Sequence, residues 1–539
     1  MTSGGVWKSY PAGHPSRSSE GDIGLILLII ILGLALRLFA WQHTGSMNPD
    51  GAIYIHQARA IYYGLWDSIN NSGNNYSAIP YPTITTLGIA AIYAIWGNWV
   101  TAGTMVSLLF GTITIVPIYW TAREFFKKDI ASFVTLIYAV TPILIDSSVD
   151  IIRDPACWFF LTLGLYFFSS QKKHPVLYLL FSNISFILAT WSRVESFIFI
   201  IISAAYFFLD REEKPLRRVS IFLLPTVIIF FGFIGSQILL HPEQVNWYRL
   251  AEIPSRFYNS ITEYNHIQSQ LTELINHPQA GIPVEFFDNV RDILWFVGFG
   301  VLFQNTLETF FYPYFLIYFA GLGQIKEKIR KDRRVLYLVL LVLSAFLLLY
   351  LYIFLYWQME NRWVAIALFP SFVFLGFGLE RMISFMQSRF NMKRGMALAL
   401  ICLLILAFAL PKNMKPRGED KIIFRELGEM IAHMEGNAKK IEILTVGSSA
   451  RWILFYANVR FRGAPYPGEY RVYEPLLGNN YETFLGNLKT RRIQYLVWEE
   501  KNWPTGHFDF LQSPHERDFI SLGAWTHQDT GKILLFKLR

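Results

Sequence analysis

Acids and arginines gather in four short segments of this chain. Asn48-Pro49-Asp50-Gly51 precedes a helical stretch, and Asp146, Asp150, Arg153 and Asp154 crowd just ahead of Pro155. Trp191-Ser192-Arg193-Val194-Glu195-Ser196 and Glu360-Asn361-Arg362-Trp363 each set an arginine near a glutamate. A carboxylate can take a proton from a hydroxyl, which is worth about 10²–10⁴-fold when it is positioned. The planar fork of arginine matches phosphate oxygens. Together these residue types suit a phosphate bound beside a base. Asp50 is the candidate base, with Asp154 as its alternate. Arg153, Arg193 and Arg362 are the candidate phosphate ligands, and Glu195 and Glu360 support them.

Each segment also has a plainer reading. Asp50 and Asp154 stand where a helix begins, and Asp is a good N-cap. Asp154-Pro155 adds proline at the first helical position. Each Arg/Glu pair can snorkel or pair internally at the end of a membrane span. Gly51 next to Asp50 lets a chain or substrate approach closely. His241, His266 and His277 lack metal-ligand spacing, and Cys157 and Cys402 sit in apolar stretches, so no metal or disulfide framework is expected.

The elements that must hold these residues are membrane spans. Of 539 residues, 53% are hydrophobic and only 16% charged, against about 25% charged in an ordinary soluble chain. Apolar blocks such as Gly24–Trp41, Val100–Ala122 and Val335–Tyr356 approach or exceed the roughly 20 residues needed to cross a bilayer. The pattern predicts a polytopic α-helical membrane protein of about eleven spans, near 22–42, 100–122, 130–147, 155–170, 175–191, 195–209, 219–239, 302–322, 335–356, 363–384 and 395–410. The first is read as a retained span behind a cytoplasmic tail, residues 1–21, and not as a cleaved signal. The apolar stretch 83–97 is short and reads as an interfacial helix.

With the N-terminus cytoplasmic, one set of loops carries Lys127, Lys128, Lys172, Lys173, Arg217, Arg218, Arg330, Arg333, Arg334, Lys393 and Arg394. The long loops 43–99 and 240–292 on the other side carry few cations, among them Arg59, Arg249, Arg256 and Arg291. This is the positive-inside pattern. It accounts for the net charge of +8 and leaves no call for a nucleic-acid partner. It also puts all four acid/arginine segments, and residues 411–539, at the outer face. That tail reads as a small α/β domain. Lys421–Gly436 is an amphipathic helix with Phe424, Leu427, Ile431 and Met434 on one face, and Ile441–Val446, Trp452–Val459, Gln494–Trp498 and Ile533–Leu538 are strands.

In order and placement these segments resemble the GT-C class of membrane glycosyltransferases. The nearest branch contains the protein O-mannosyltransferases and lipid A aminoarabinose transferases. The resemblance rests on Asp50 with the following helix Ala52–Leu65, the stretch Ile79-Pro80-Tyr81-Pro82 through Trp96-Gly97, the basic segment Ala122-Arg123-Glu124-Phe125-Phe126-Lys127, Arg153-Asp154-Pro155, the turn Ser192-Arg193-Val194-Glu195-Ser196, and Glu360-Asn361-Arg362-Trp363. Many members carry Asp-Glu where this chain has Asp50-Gly51. The Trp-Trp-Asp signature of the oligosaccharyltransferase branch is absent from residues 411–539.

The resemblance implies an inverting transfer from a polyprenyl-phosphate sugar donor to a hydroxyl of a glycan, lipid or protein. It implies no cofactor and no divalent metal. It places the chain in a bacterial inner membrane with the C-terminal domain in the periplasm. A lipid or glycan flippase would call for charges near mid-membrane and a repeat between halves. A membrane-anchored binding protein would need no arginine–carboxylate cluster.

Overall fold

The computed structural model describes residues 20–66, 82–210, 214–240, 248–277, 282–436, 439–445, 449–468, 474–478, 480–504 and 508–539. The expected cytoplasmic tail up to residue 19, His241, and the start of the Pro-rich stretch (Ile79, Pro80 and Tyr81) lie outside the described residues. The chain opens with α1 (Glu20–Gln42), α2 (Pro49–Tyr62), α3 (Ile84–Trp96), α4 (Trp99–Ile113), α5 (Ile115–Arg123), α6 (Lys128–Val140), α7 (Pro142–Val149), α8 (Asp154–Ser169), α9 (Pro175–Ser192), α10 (Phe197–Leu209) and α11 (Pro215–Leu240). There follow α12 (Tyr248–Asn276), α13 (Val284–Asp292), α14 (Leu294–Thr309), α15 (Tyr312–Leu322), α16 (Ile325–Lys331), α17 (Arg333–Tyr356), α18 (Asn361–Phe390) and α19 (Arg394–Asn413).

Each expected span falls on a helix or a helix pair. Among the described residues seven helices are long and apolar enough to cross a membrane, and the bent pair α6–α7 forms an eighth. The remaining expected spans rest on shorter helices: α8 of 16 residues, α10 of 13, and α15 of 11. The expected 302–322 span is split. Helix α14 ends at Thr309, Phe311 takes a left-handed φ of 59°, and Pro313 starts α15. Glycines let α15 lie directly on α18: a Cβ on Gly321 would overlap the Phe374 carbonyl oxygen, and one on Gly378 that of Ile317. Small residues at crossings are how membrane helices reach van der Waals contact.

The bend between α6 and α7 is 53° and follows from Thr141-Pro142. Proline has no N–H to give and its ring disfavours a helical residue before it, so carbonyls of the preceding turn are released. Neighbouring helices satisfy two of them. Arg37 of α1, fully buried, donates from Nη1 to Ala139 O at 3.3 Å and Gly33 O at 3.0 Å. Asn413 of α19 donates to Val140 O at 2.8 Å. Buried backbone in lipid persists only when re-satisfied in this way. The bend leads into the segment that carries Arg153 and Asp154 to the site.

Residues 411–539 hold α20 (Ile422–Glu435), β1 (Ile443–Leu444), α21 (Ser449–Ala457), α22 (Glu474–Leu477), α23 (Tyr481–Thr490), β2 (Tyr495–Glu499), β3 (Phe519–His527) and β4 (Gly531–Leu538). The sheet order is β1-β2-β4-β3, with β1 and β2 parallel and the other pairs antiparallel. The expected amphipathic helix is α20, although Met434 is 44% exposed. Three expected strands appear as β1, β2 and β4. The fourth is a correction: Trp452–Val459 lies mostly in helix α21. An apolar run buried on every side has no periodicity to separate helix from strand, and Ala450 and Trp452 through Ala457 are all buried. Strand β3, bulged between Ser521 and Gly523, was not anticipated.

One hydrophobic core ties this domain to α2 and α3. Met47, Ala52, Ile55, Ile89 and Ile151 pack in the same cluster as Phe424, Trp452, Ile453 and Ile533. The segment leaving α19 also runs beside the segment leaving α1. Gly45 N donates to Arg417 O at 2.8 Å and Arg417 N to His43 O at 3.0 Å, while the Arg417 side chain pairs with Asp146.

Candidate active site

The seven residues singled out in the sequence all line one cavity of about 180 Å³: Asp50, Arg153, Asp154, Arg193, Glu195, Glu360 and Arg362. Their positions come from local rules. Asn48 is extended and caps α2, accepting from Asp50 N at 3.0 Å, with Pro49 at the helix start. The capping role considered for Asp50 therefore belongs to Asn48, which frees the Asp50 carboxylate for other partners. Gly51 answers to packing: a Cβ there would lie 2.9 Å from that of Ile151, so the close approach is made by the 151 backbone segment. Asp154 is likewise not a cap. It is the first residue of α8, Arg153 holds the N-cap position, and the Asp154 side chain turns to Arg193.

The charges form two alternating rows. In one, Asp154 pairs with Arg193, Arg193 Nε faces Glu195 at 3.4 Å, Arg256 Nη1 meets Glu195 at 2.8 Å, and Arg256 pairs onward with Glu252. Asp154 is 2% exposed and Arg193 8%, so this row is largely withdrawn from water. Such a row persists because every charge has a partner; removing one partner from a buried pair costs about 3–5 kcal/mol. In the other row, Glu360 meets Arg362 Nε at 2.6 Å, Arg362 Nη2 meets Asp50 Oδ2 at 2.8 Å, and Arg451 Nη1 meets Asp50 Oδ1 at 2.7 Å. Each oxygen of Asp50 thus carries one guanidinium.

The electrostatics follow from this geometry. Burial pushes the Asp50 carboxyl up, but Arg362, then Arg451 and Arg153, outweigh it and hold the carboxyl below its ordinary range. Asp150, which bonds Asn48, lacks such a partner among the described residues. Burial raises its carboxyl to about 7, with Arg362 opposing and Asp146 adding to the rise.

Sequence reasoning missed part of this wall. Tyr54, Arg256, Tyr352, Tyr356 and Trp363 also line the cavity, and Arg451 of the C-terminal domain bonds Asp50 without lining it. Arg256 was visible only as a loop cation. It lies on α12, bonds the Tyr352 hydroxyl at 2.6 Å and stacks over that ring at 5.2 Å. Arg59, also read as a loop cation, is buried away from the cavity. Its guanidinium donates to Asn458 O at 3.1 Å, Gly463 O at 2.6 Å and Phe461 O.

The family model described as dolichyl-phosphate-mannose-protein mannosyltransferase matches residues 82–236, the stretch that holds Arg153, Asp154, Arg193 and Glu195. No curated protein matches the chain. Among solved structures, an oligosaccharyltransferase from Archaeoglobus fulgidus, tethered to an acceptor peptide, superposes with a TM-score of 0.58 at 12% identity, covering 89% of this chain and 69% of that one. The archaeal oligosaccharyltransferase AglB, with an inhibitory peptide and a dolichol-phosphate, gives 0.52 at 12% identity, covering 89% and 69%. ArnT from Cupriavidus metallidurans, bound to undecaprenyl phosphate, gives 0.52 at 12% identity and covers 95% of this chain and 98% of its own. The chain therefore has the GT-C fold of the membrane glycosyltransferases, and over residues 82–236 it carries the sequence pattern of their dolichyl-phosphate-mannose-protein mannosyltransferase family.

Proposed function

We propose that this protein is an inverting glycosyltransferase that moves a sugar from a polyprenyl-phosphate donor to an acceptor hydroxyl at the outer face of the membrane. The observation that carries the reading is the cavity wall: arginines and carboxylates alternate around about 180 Å³, next to the interfacial helix α2. The lipid phosphates bound to AglB and ArnT support a lipid-phosphate donor. The near end-to-end match to ArnT supports its branch over the longer oligosaccharyltransferases.

In this reading Arg153 and Arg362 take the donor phosphate oxygens, with Arg256 beside them. Arg193 adds its charge from behind, because the carboxylates that hold it, Asp154 and Glu195, are buried, whereas Asp50 and Glu360, which hold Arg362, are partly exposed. The acceptor hydroxyl attacks the anomeric carbon from the face opposite the phosphate. Asp50 takes the hydroxyl proton as the new C–O bond forms, and the old anomeric C–O bond breaks with its electrons passing to the lipid phosphate. Fixed guanidinium charges stabilise that leaving group without reorganising. Asp154, deeply buried and paired, remains the alternate base, and Glu195 and Glu360 hold Arg256, Arg193 and Arg362 in place. The reading calls for no divalent metal: arginine supplies the positive charge beside each cavity carboxylate.

Purified protein in sealed proteoliposomes, given radiolabelled polyprenyl-phosphate sugars and candidate glycan, lipid and protein acceptors, tests the reading. Labelled product that forms equally well in the presence of a chelator supports it. Vectorial movement of the lipid without transfer marks a flippase, and binding with neither marks a membrane-anchored binding protein. Either outcome refutes the proposal.

A further inference from the structure

We infer that Arg451, carried by the C-terminal domain, is a positioning residue for Asp50. Docking of that domain holds the carboxylate in its working orientation and keeps it ionised. The inference rests on Asp50 being the general base proposed above.

Residues 449–465 grip helix α2 at both ends. At its start, Arg451 Nη1 bonds Asp50 Oδ1 at 2.7 Å, and the adjacent Trp452 Nε1 donates to Met47 O at 2.7 Å. At its far end, Arg59 donates to the carbonyls of Asn458, Phe461 and Gly463, and a His56 ring nitrogen lies 3.0 Å from Pro465 O. The Arg451 contact is built and not incidental. Among the described residues its Nε is buried without a hydrogen-bond partner, while Nη1 is aimed at the carboxylate. An unsatisfied buried N–H costs about 1–3 kcal/mol, and the guanidinium accepts that cost in the geometry that reaches Asp50.

The groups facing Asp50 are few. Arg362 comes from the start of α18 and Glu360 from just before it, Arg451 from α21, Asp150 and Arg153 from the segment between α7 and α8, and Asp154 from the first position of α8. Tyr54 comes from α2 itself. Arg362 also borders the cavity and is drawn toward the donor phosphate. Arg451 is outside the cavity lining, so its charge stays on Asp50 through the reaction. A carboxylate beside a guanidinium stays ionised to lower pH, by about 1–3 units.

The test uses the full-length protein with Arg451→Met and Arg451→Lys, measuring kcat and donor KM from about pH 3 to 8, so that the scan reaches below the ordinary carboxyl range of about 3.9. In Arg451→Met the acid limb of kcat should move up by about one to two pH units, with donor KM within about twofold of wild type, since the phosphate ligands are untouched. Arg451→Lys should bring the limb back toward its wild-type position. If Arg451→Met does not fold, Arg451→Gln, which keeps a donor without the charge, carries the same measurement. An unmoved limb in a folded, active uncharged variant overturns the inference. A wild-type protein with no transfer overturns the functional reading instead, so the two failures are distinguishable.

Discussion

Asp50→Asn separates the chemical role of this residue from every structural one. The cap of α2 belongs to Asn48, so the substitution leaves helix initiation alone. It does disturb the charge row. Arg362 approaches Oδ2 at 2.8 Å and Arg451 approaches Oδ1 at 2.7 Å, but an Asn side chain offers only one oxygen. One guanidinium must face the amide nitrogen and turn away. Arg362 keeps Glu360 at 2.6 Å, while Arg451 is left with the shared oxygen. The Asp50 side chain is 32% exposed, so water relieves much of the loss and the stability cost should be about 1–2 kcal/mol. Turnover should fall about 10²–10⁴-fold, since Asn cannot take the proton. At 1.36 kcal/mol per tenfold that is about 2.7–5.4 kcal/mol of barrier, well beyond the structural cost. Donor affinity should hold or rise, because Arg362 loses a competitor for the phosphate. The assay is single-turnover transfer from a radiolabelled donor, with donor binding measured separately on the same preparation. Near-normal turnover in Asp50→Asn would refute the assignment and move the base to Asp154.

Arg362→Lys and Arg193→Lys should part company. The first removes a fork at the cavity and should weaken donor binding about tenfold. The second strains the buried Asp154–Arg193–Glu195 row and should lower thermal stability more than donor affinity; equal donor loss in both, with unchanged unfolding midpoints, would contradict the division of labour. Asp150, whose carboxyl is raised to about 7, favours the protonated form in the fold, so it contributes stability at low pH that is lost as pH rises toward and through 7. Asp150→Asn should therefore raise the unfolding midpoint most at pH 8, less at pH 5 and little below about pH 4, and an equal shift at all three would reject the burial argument. For topology, a periplasm-dependent reporter after Arg539 should be active and fusions after Lys173 and Arg334 silent; the reverse pattern would place the cavity on the wrong face.

Much of this protein is local and was open to reading from residue order. A bilayer admits few solutions for the backbone, so apolar length and loop charge marked the helices even where α8, α10 and α15 are short. Arginine and carboxylates at the ends of those helices are costly in lipid, which is why Arg153, Arg193, Arg362 and their acids stood out and all proved to line one cavity. The local pairs Arg193–Glu195 and Arg362–Glu360 were open to the sequence, but which charge meets Asp50 and Asp154 was decided by the tertiary path alone. Asp50 bonds Arg362 across 312 residues and Arg451 across 401, and no periodicity carries information over such distances. The same limit hid Arg256, whose value depends on where α12 lies. It also hid helix α21, where burial on all sides removes the polar–apolar alternation that distinguishes a helix from a strand.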